Sequence, residues 1–194
     1  MREKILERDY CMNKIVLVIN GKAEVGKDTL CDYVIKNYYA EKRSSITPIV
    51  EIAMRNGWDG IKTNKSRKFL SDLKRAFIDF NNLPNEYLIE EHRKFLESSN
   101  NILFVHIRET DQIDEFLKSV EGTCRYTSLL ICNDEQSPIS FGNNADDYVN
   151  NYSYEYVYHN IKPLGEAEMD FIVFFQKIMK DKGVCPISRK REEK

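Results

Sequence analysis

The stretch that decides the fold is residues 14–29, KIVLVINGKAEVGKDT. Lys14 to Asn20 is a continuous apolar run rich in β-branched side chains, which suits a strand covered on both faces at the centre of a parallel sheet. A short glycine-bearing loop follows, after which Leu30, Val34 and Tyr38 recur at spacing four and predict a helix from about residue 26 to 40. The loop, Gly21-Lys22-Ala23-Glu24-Val25-Gly26-Lys27-Asp28-Thr29, matches G-x-x-x-x-G-K and then carries aspartate where serine or threonine is usual. Holding phosphate at such a place needs glycines that let backbone N–H groups turn inward, a helix N-terminus that complements an anion, and a lysine that reaches the outer phosphates. All three stand here in order.

Downstream, Thr47-Pro48 reads as an N-cap followed by proline in the first helical position, and Asn56-Gly57 as a stop, giving a short helix over about 48–56. Phe69, Leu70, Leu73, Ala76, Phe77 and Phe80 keep a 3.6 period, and Leu83-Pro84 interrupts before a further helical stretch at about 85–98. Ile102 to Ile107 repeats the buried-strand pattern, with a helix stripe (Ile113, Phe116, Leu117, Val120) directly after it. A third strand falls within Cys124–Cys132, and Tyr154–His159 alternates like a fourth; the spacing of two among the neighbouring tyrosines reads as a strand face rather than a stacking platform. A last helix is expected at about 165–182. Strands separated by helices predict an α/β fold, a three-layer α/β/α arrangement around a mostly parallel central sheet. Residues 1–13 read as an N-terminal extension, 14–183 as the domain, 48–98 as a helical insertion within it, and 184–194 as a mobile basic tail without apolar period.

At 194 residues the chain is about 1.3 times the roughly 150 residues of a typical domain, so one elaborated domain is expected. The balance of 29 basic and 31 acidic side chains offers no bulk attraction to nucleic acid or to an anionic membrane, and neither is expected as a partner. Five widely spaced cysteines with no C-x-x-C pair suggest reduced thiols. The charged N-terminus is unlike a secretory signal, no apolar run approaches the ~20 residues that span a bilayer, and a cytoplasmic address follows as the expectation.

The GKDT string after a strand resembles the P-loop nucleoside monophosphate kinases, especially deoxynucleoside monophosphate kinases of phage type, with animal-type phosphomevalonate kinases as relatives sharing the GKD variant. Two further segments are similar to that group: Asn56-Gly57-Trp58-Asp59-Gly60 with Lys62-Thr63 and the following Lys65-Ser66-Arg67-Lys68-Phe69-Leu70, and the late strand 154–160, which ends in Asn160. The resemblance spans roughly residues 14–180 and implies a P-loop NTPase fold whose helical insertion binds substrate. It implies as ligands ATP, Mg²⁺ and a small phosphorylated acceptor, a (deoxy)nucleoside monophosphate.

Phosphoryl transfer asks mainly for positioning and positive charge, which makes Lys27 and Arg108 the catalytic candidates. Residues 21–29 would hold the nucleotide. Trp58, Asp59, Lys62, Arg67 and Arg108 would bind the acceptor, with Arg67 opening a helix beside the W-D-G segment and Arg108 following a strand's carboxyl end. For both arginines a solvated charge is the bland alternative, and for Trp58 it is packing of the insertion. Asp28, Thr29 and Glu109 are the candidate Mg²⁺ ligands; ILFVHI lacks the acidic residue that usually ends the second strand of such sites. His106 reads as a hydrogen-bonded core histidine. Between Tyr126 and Ile161 there is no lysine or arginine, where monophosphate kinases carry lid arginines. That composition favours an alternative, a nucleotide-binding module with weak or no transfer activity. For an active enzyme it points to a cation borrowed from the partner in a homodimer or from Lys190 or Arg191 of the tail.

Overall fold

The computed structural model describes residues 13–133 and 149–189. Five strands form one parallel sheet in the order β2-β3-β1-β4-β5: β1 (Ile15–Asn20), β2 (Ala40–Ser44), β3 (Ile102–His106), β4 (Arg125–Cys132) and β5 (Tyr156–His159). β1 lies at the centre, every residue buried, with Ile15 opposite Ile102 of β3 on one side and Arg125 of β4 on the other. Its alternating side chains feed two cores. Ile15, Leu17 and Ile19 pack with α1 (Lys27–Asn37) and α6 (Leu164–Asp181), while Val16 and Val18 pack with α4 (Leu83–Glu97) and α5 (Thr110–Val120). The three-layer α/β/α architecture is therefore present, with an all-parallel sheet.

Between β2 and β3 stand α2 (Thr47–Arg55), α3 (Asn64–Asn81) and α4, and a separate small core of Ile49, Ala53 and Leu70 holds α2 to α3. α3 begins with a capping box, in which the Thr63 side chain accepts from Ser66 N–H while the Ser66 hydroxyl accepts from Thr63 N–H. Lys14, 1% exposed, ends the other side of this unit by donating to the carbonyls of Phe95, Ser98 and Asn100, at and just beyond the end of α4.

Four readings need correction. β2 is a strand where no strand was expected, and α1 stops at Asn37 instead of running to residue 40. The N-cap of α2 is Ile46, one residue before Thr47, and no side chain caps it. Residues 184–189, expected within a mobile tail, are tied down: Tyr39 N–H donates to Ile187 O (2.8 Å), Asn101 Nδ2 to Cys185 O (2.9 Å), and Arg189 N–H to Asn37 O (2.9 Å). Val184 is buried in the core, which gives the segment an apolar anchor besides its hydrogen bonds. Residues 190–194, with Lys190 and Arg191, lie outside the described residues, as does 1–12. Among the described residues no disulfide forms and no helix is long and apolar enough to cross a membrane.

Candidate functional site

β1 delivers the chain into the loop through Asn20, whose side chain organises three segments at once. Its Oδ1 accepts from Gly21 N–H (2.8 Å), and its Nδ2 donates to Arg108 O (3.2 Å) and Tyr154 Oη (2.8 Å). Gly21 has φ 146°, and a Cβ there would lie 2.4 Å from Ile131 O on β4, so only glycine lets the loop approach the sheet this closely. Gly26, the N-cap of α1, has φ 89°, and Asn160, just past β5, donates to the neighbouring Val25 O at 3.0 Å. The loop is thus moulded from behind by the ends of β1, β4 and β5. No side chain caps the start of α1, which leaves the positive end of its dipole facing the loop. Lys27, 8% exposed, folds back so that Nζ donates to Gly21 O and Lys22 O, bracing the loop across its opening.

Beside this loop, at the carboxyl ends of β1 and β3, a cavity of about 250 Å³ opens under the insertion. Lys27, Asp28, Trp58, Lys62, Arg67, Arg108 and Glu109 line it, so most of the acceptor-binding candidates converge. Trp58 packs against the Ile49–Ala53–Leu70 core and also lines the cavity. The Arg67 guanidinium reaches Glu24 Oε1 of the loop at 3.3 Å, joining insertion to loop. Arg108 contributes its side chain to the lining and its carbonyl to Asn20.

Two candidates stand elsewhere. Asp59 is exposed and accepts from Ile61 N–H (2.9 Å), which closes the turn after Trp58 instead of reaching the cavity. Thr29 is exposed and does not line the cavity; of the adjacent pair, Asp28 does, with Lys42 Nζ 3.5 Å from its Oδ1. Glu109 spends one carboxylate oxygen on Lys74 Nζ, which offsets the charge it could offer a metal. Its physical cause is plain: Lys74 is 3% exposed, and a buried ammonium needs a counter-ion. Burial pulls the Lys74 pKa below its ordinary value, and Glu109 opposes that pull. No group of three or more carboxylate, thiol or imidazole side chains is placed to hold a metal among the described residues.

His106, the last residue of β3, has its pKa pushed down to about 4 by burial, with Lys27, Lys42 and Arg108 acting in the same direction and Asp28 against it. It is a neutral imidazole near pH 7, with Nε2 3.7 Å from Cys31 Sγ. Burial likewise raises the Cys31 pKa, so this thiol is not a thiolate nucleophile. Lys74, Ser45 and Ser71 also line the cavity, and the sequence reading passed over them. A signal was present: Lys74 interrupts the apolar stripe of α3 one turn after Leu70, where a solvated lysine does not belong. The segment expected as the lid lies largely in residues 134–148, outside the described residues.

No protein-family model and no curated protein sequence matches this chain. Solved structures do. The tunicamycin resistance protein of Deinococcus radiodurans superposes with a TM-score of 0.52 at 11% identity, over 90% of this chain and 98% of that one. A Chloroflexus aurantiacus protein described as a candidate kinase superposes with a TM-score of 0.50 at 11% identity, over 87% of this chain and 98% of that one. The chain shares with both an α/β fold built on a parallel central sheet with flanking helices.

Proposed function

We propose that this chain is a phosphotransferase that moves the terminal phosphoryl group of ATP to a small phosphorylated acceptor, a nucleoside or deoxynucleoside monophosphate. The observation that carries the reading is the cavity's charge: among the described residues that line it, five are basic (Lys27, Lys62, Arg67, Lys74, Arg108) and two acidic (Asp28, Glu109), directly beside a glycine loop and an uncapped helix start. An excess of fixed positive charge in a partly enclosed site suits phosphate groups on two substrates and the charge that develops between them. The shared fold with a protein described as a candidate kinase agrees with this reading.

In it, the backbone of residues 21–27 cradles the nucleotide phosphates. Lys27 exchanges its carbonyl partners for phosphate oxygens, which are better acceptors for an ammonium. Arg67 and Arg108 hold the acceptor phosphate, Lys62 draws it in at the rim, and Trp58 forms the wall against which its ring rests. The donor set suits Mg²⁺, a hard cation that keeps several waters and takes one or two carboxylates plus phosphate oxygens: Asp28 is the carboxylate open to the cavity. Bound magnesium would neutralise charge on the transferred group, and Asp28 would orient it.

The absence of basic residues between Tyr126 and Ile161 favours a second reading, a nucleotide-binding module with little or no transfer. ADP release with a panel of monophosphates separates the two. Acceptor-dependent turnover that Arg108→Ala abolishes supports the first; nucleotide binding without turnover on any acceptor refutes it in favour of the second.

A further inference from the structure

Lys74 is the part of the cavity that phosphate binding by the loop leaves unexplained. It projects from the buried side of α3, where burial makes a charge costly, and its Nζ donates to Ser45 Oγ (2.7 Å) and to the Glu109 carboxylate. An ammonium has three donors, and these acceptors take two. Asn85 Oδ1 and Gln112 Oε1, buried in the adjoining wall, have no hydrogen-bond partner, so neither takes the third. Glu109 in turn is engaged through Oε2, and no bond to its Oε1 is made among the described residues. Both side chains border the cavity, where α3 meets the end of β3.

The charges of Lys74 and Glu109 offset one another. This corner therefore differs from the rest of the lining: Lys62, Arg67 and Arg108 suit an anion, whereas the ion pair presents one unspent donor next to one unspent acceptor. A hydroxyl is the smallest neutral substituent of a sugar phosphate that satisfies both at once, accepting through oxygen and donating its hydrogen. We propose that Lys74 and Glu109, braced by Ser45, determine specificity by binding a hydroxyl of the acceptor at its non-reacting end, Lys74 donating to the hydroxyl oxygen and Glu109 Oε1 accepting the hydroxyl hydrogen. The inference rests on the phosphotransferase reading for the identity of the ligand. A purely structural ion pair, tying α3 to the loop after β3, would affect stability but not choice of ligand.

The test uses the full chain and matched 5′-monophosphates with ribose, 2′-deoxyribose or 3′-deoxyribose. With wild type, loss of the recognised hydroxyl raises the acceptor KM by roughly 10- to 100-fold, the scale of one hydrogen bond to a charged group. The double variant Lys74→Met/Glu109→Gln removes both charges together, so no lone buried charge remains, and its members of each pair become equal within about twofold while ATP affinity is unchanged. Should the double variant fail to fold, Glu109→Asp alone carries the test, since it keeps a carboxylate beside Lys74 but withdraws the acceptor by one methylene and lowers the discrimination by at least about threefold. Wild-type discrimination surviving in these variants, or no discrimination in wild type, overturns the inference. If ATP binds but no acceptor is turned over, the phosphotransferase reading fails separately. The same pairs are then compared by thermal shift without ATP, where a shift given by the hydroxylated member and lost in the variant supports the corner's role, and no shift overturns it.

Discussion

Replacing Gly26 with alanine tests whether the phosphate loop is held from behind. An added Cβ would stand 2.6 Å from Asn160 Nδ2, the group that donates to Val25 O at 3.0 Å. Because that contact is with the end of a side chain, Asn160 can swing aside, but it then gives up its bond, which costs about 1 kcal/mol. Holding alanine at a φ of 89° costs about 1–2 kcal/mol more. The variant should therefore lose about 2–3 kcal/mol, and at roughly 2–4 °C per kcal/mol for a domain of this size its melting temperature should fall by about 4–12 °C. Asn160→Ala alone loses only the bond, about 1 kcal/mol. In the double variant the obstruction is already gone and only the backbone cost is added, so its loss should be smaller than the sum of the singles by about 1 kcal/mol. Denaturant melts of the four proteins measure this coupling, with ATP calorimetry alongside to show whether the loop still receives phosphate. Strict additivity, or an unchanged melting temperature for Gly26→Ala, refutes the idea that Asn160 moulds the loop.

Lys27→Ala should weaken ATP binding by at least roughly tenfold, the scale of one charge-assisted bond, while the fold survives, since the lysine's two carbonyl partners border the loop's opening. Wild-type affinity by calorimetry would remove Lys27 from the site. Asp28→Ala should flatten the magnesium dependence of nucleotide binding and leave metal-free binding equal or tighter, because one negative charge leaves the cavity; an unaltered magnesium titration would reduce Asp28 to a helix-start residue paired with Lys42. Stability should fall with acid below neutrality. Burial, aided by Lys14, holds the His92 pKa at about 4, below the ~6.5 of an unfolded histidine. Between those values the unfolded chain binds a proton that the folded chain refuses, so the contribution is intact above pH ~6.5 and is lost on descent to about 4. At 3% exposure the limit is on the order of 3 kcal/mol, and His106 acts in the same direction. Urea midpoints at pH 7, 5.5 and 4.5 should drop less in His92→Gln than in wild type; equal drops would assign the acid sensitivity elsewhere.

The central unit was legible because its signals are local. β1 is apolar throughout, the loop's glycines mark its turns, and α1 repeats every four residues, so no distant partner was needed to read them. β2 was not legible for the opposite reason. AEKRS has one buried residue, Ala40, and becomes a strand only by lying at the sheet edge against Ile102–His106, with Arg43 held by Glu91 and Lys42 by Asp32. An edge strand stabilised by charges far apart in sequence has no period of its own. The tail misled similarly: PISR lacks pattern, but its backbone finds Asn37, Tyr39 and Asn101. In the site, charge type was readable and pairing was not. Glu109 looked open to magnesium because nothing in its neighbourhood announced Lys74, which stands 35 positions earlier on a different element.

Those pairings also rank how firmly the insertion is attached. Among the described residues α3 meets the body of the domain through three ion pairs: Arg75 with Asp111 (3.2 Å) outside the cavity, and two of unequal strength that border it. Arg67 and Glu24 are partly exposed, their side chains 31% and 66% accessible, and such a pair is worth about 0–1 kcal/mol. Lys74 and Glu109 are far more enclosed, at 4% and 15%. Separating them would leave a buried charge uncompensated, which costs about 3–5 kcal/mol. The weak pair touches the phosphate loop and the strong one touches the end of β3. On the proposed reading a phosphate arriving between Arg67 and the loop gives up only the weak Arg67–Glu24 contact, while the Lys74 end stays fixed. In that reading α3 is an arm held at Lys74 and readjusting at Arg67, which assigns adaptation to different phosphate positions to the loop end and discrimination between acceptors to the buried end.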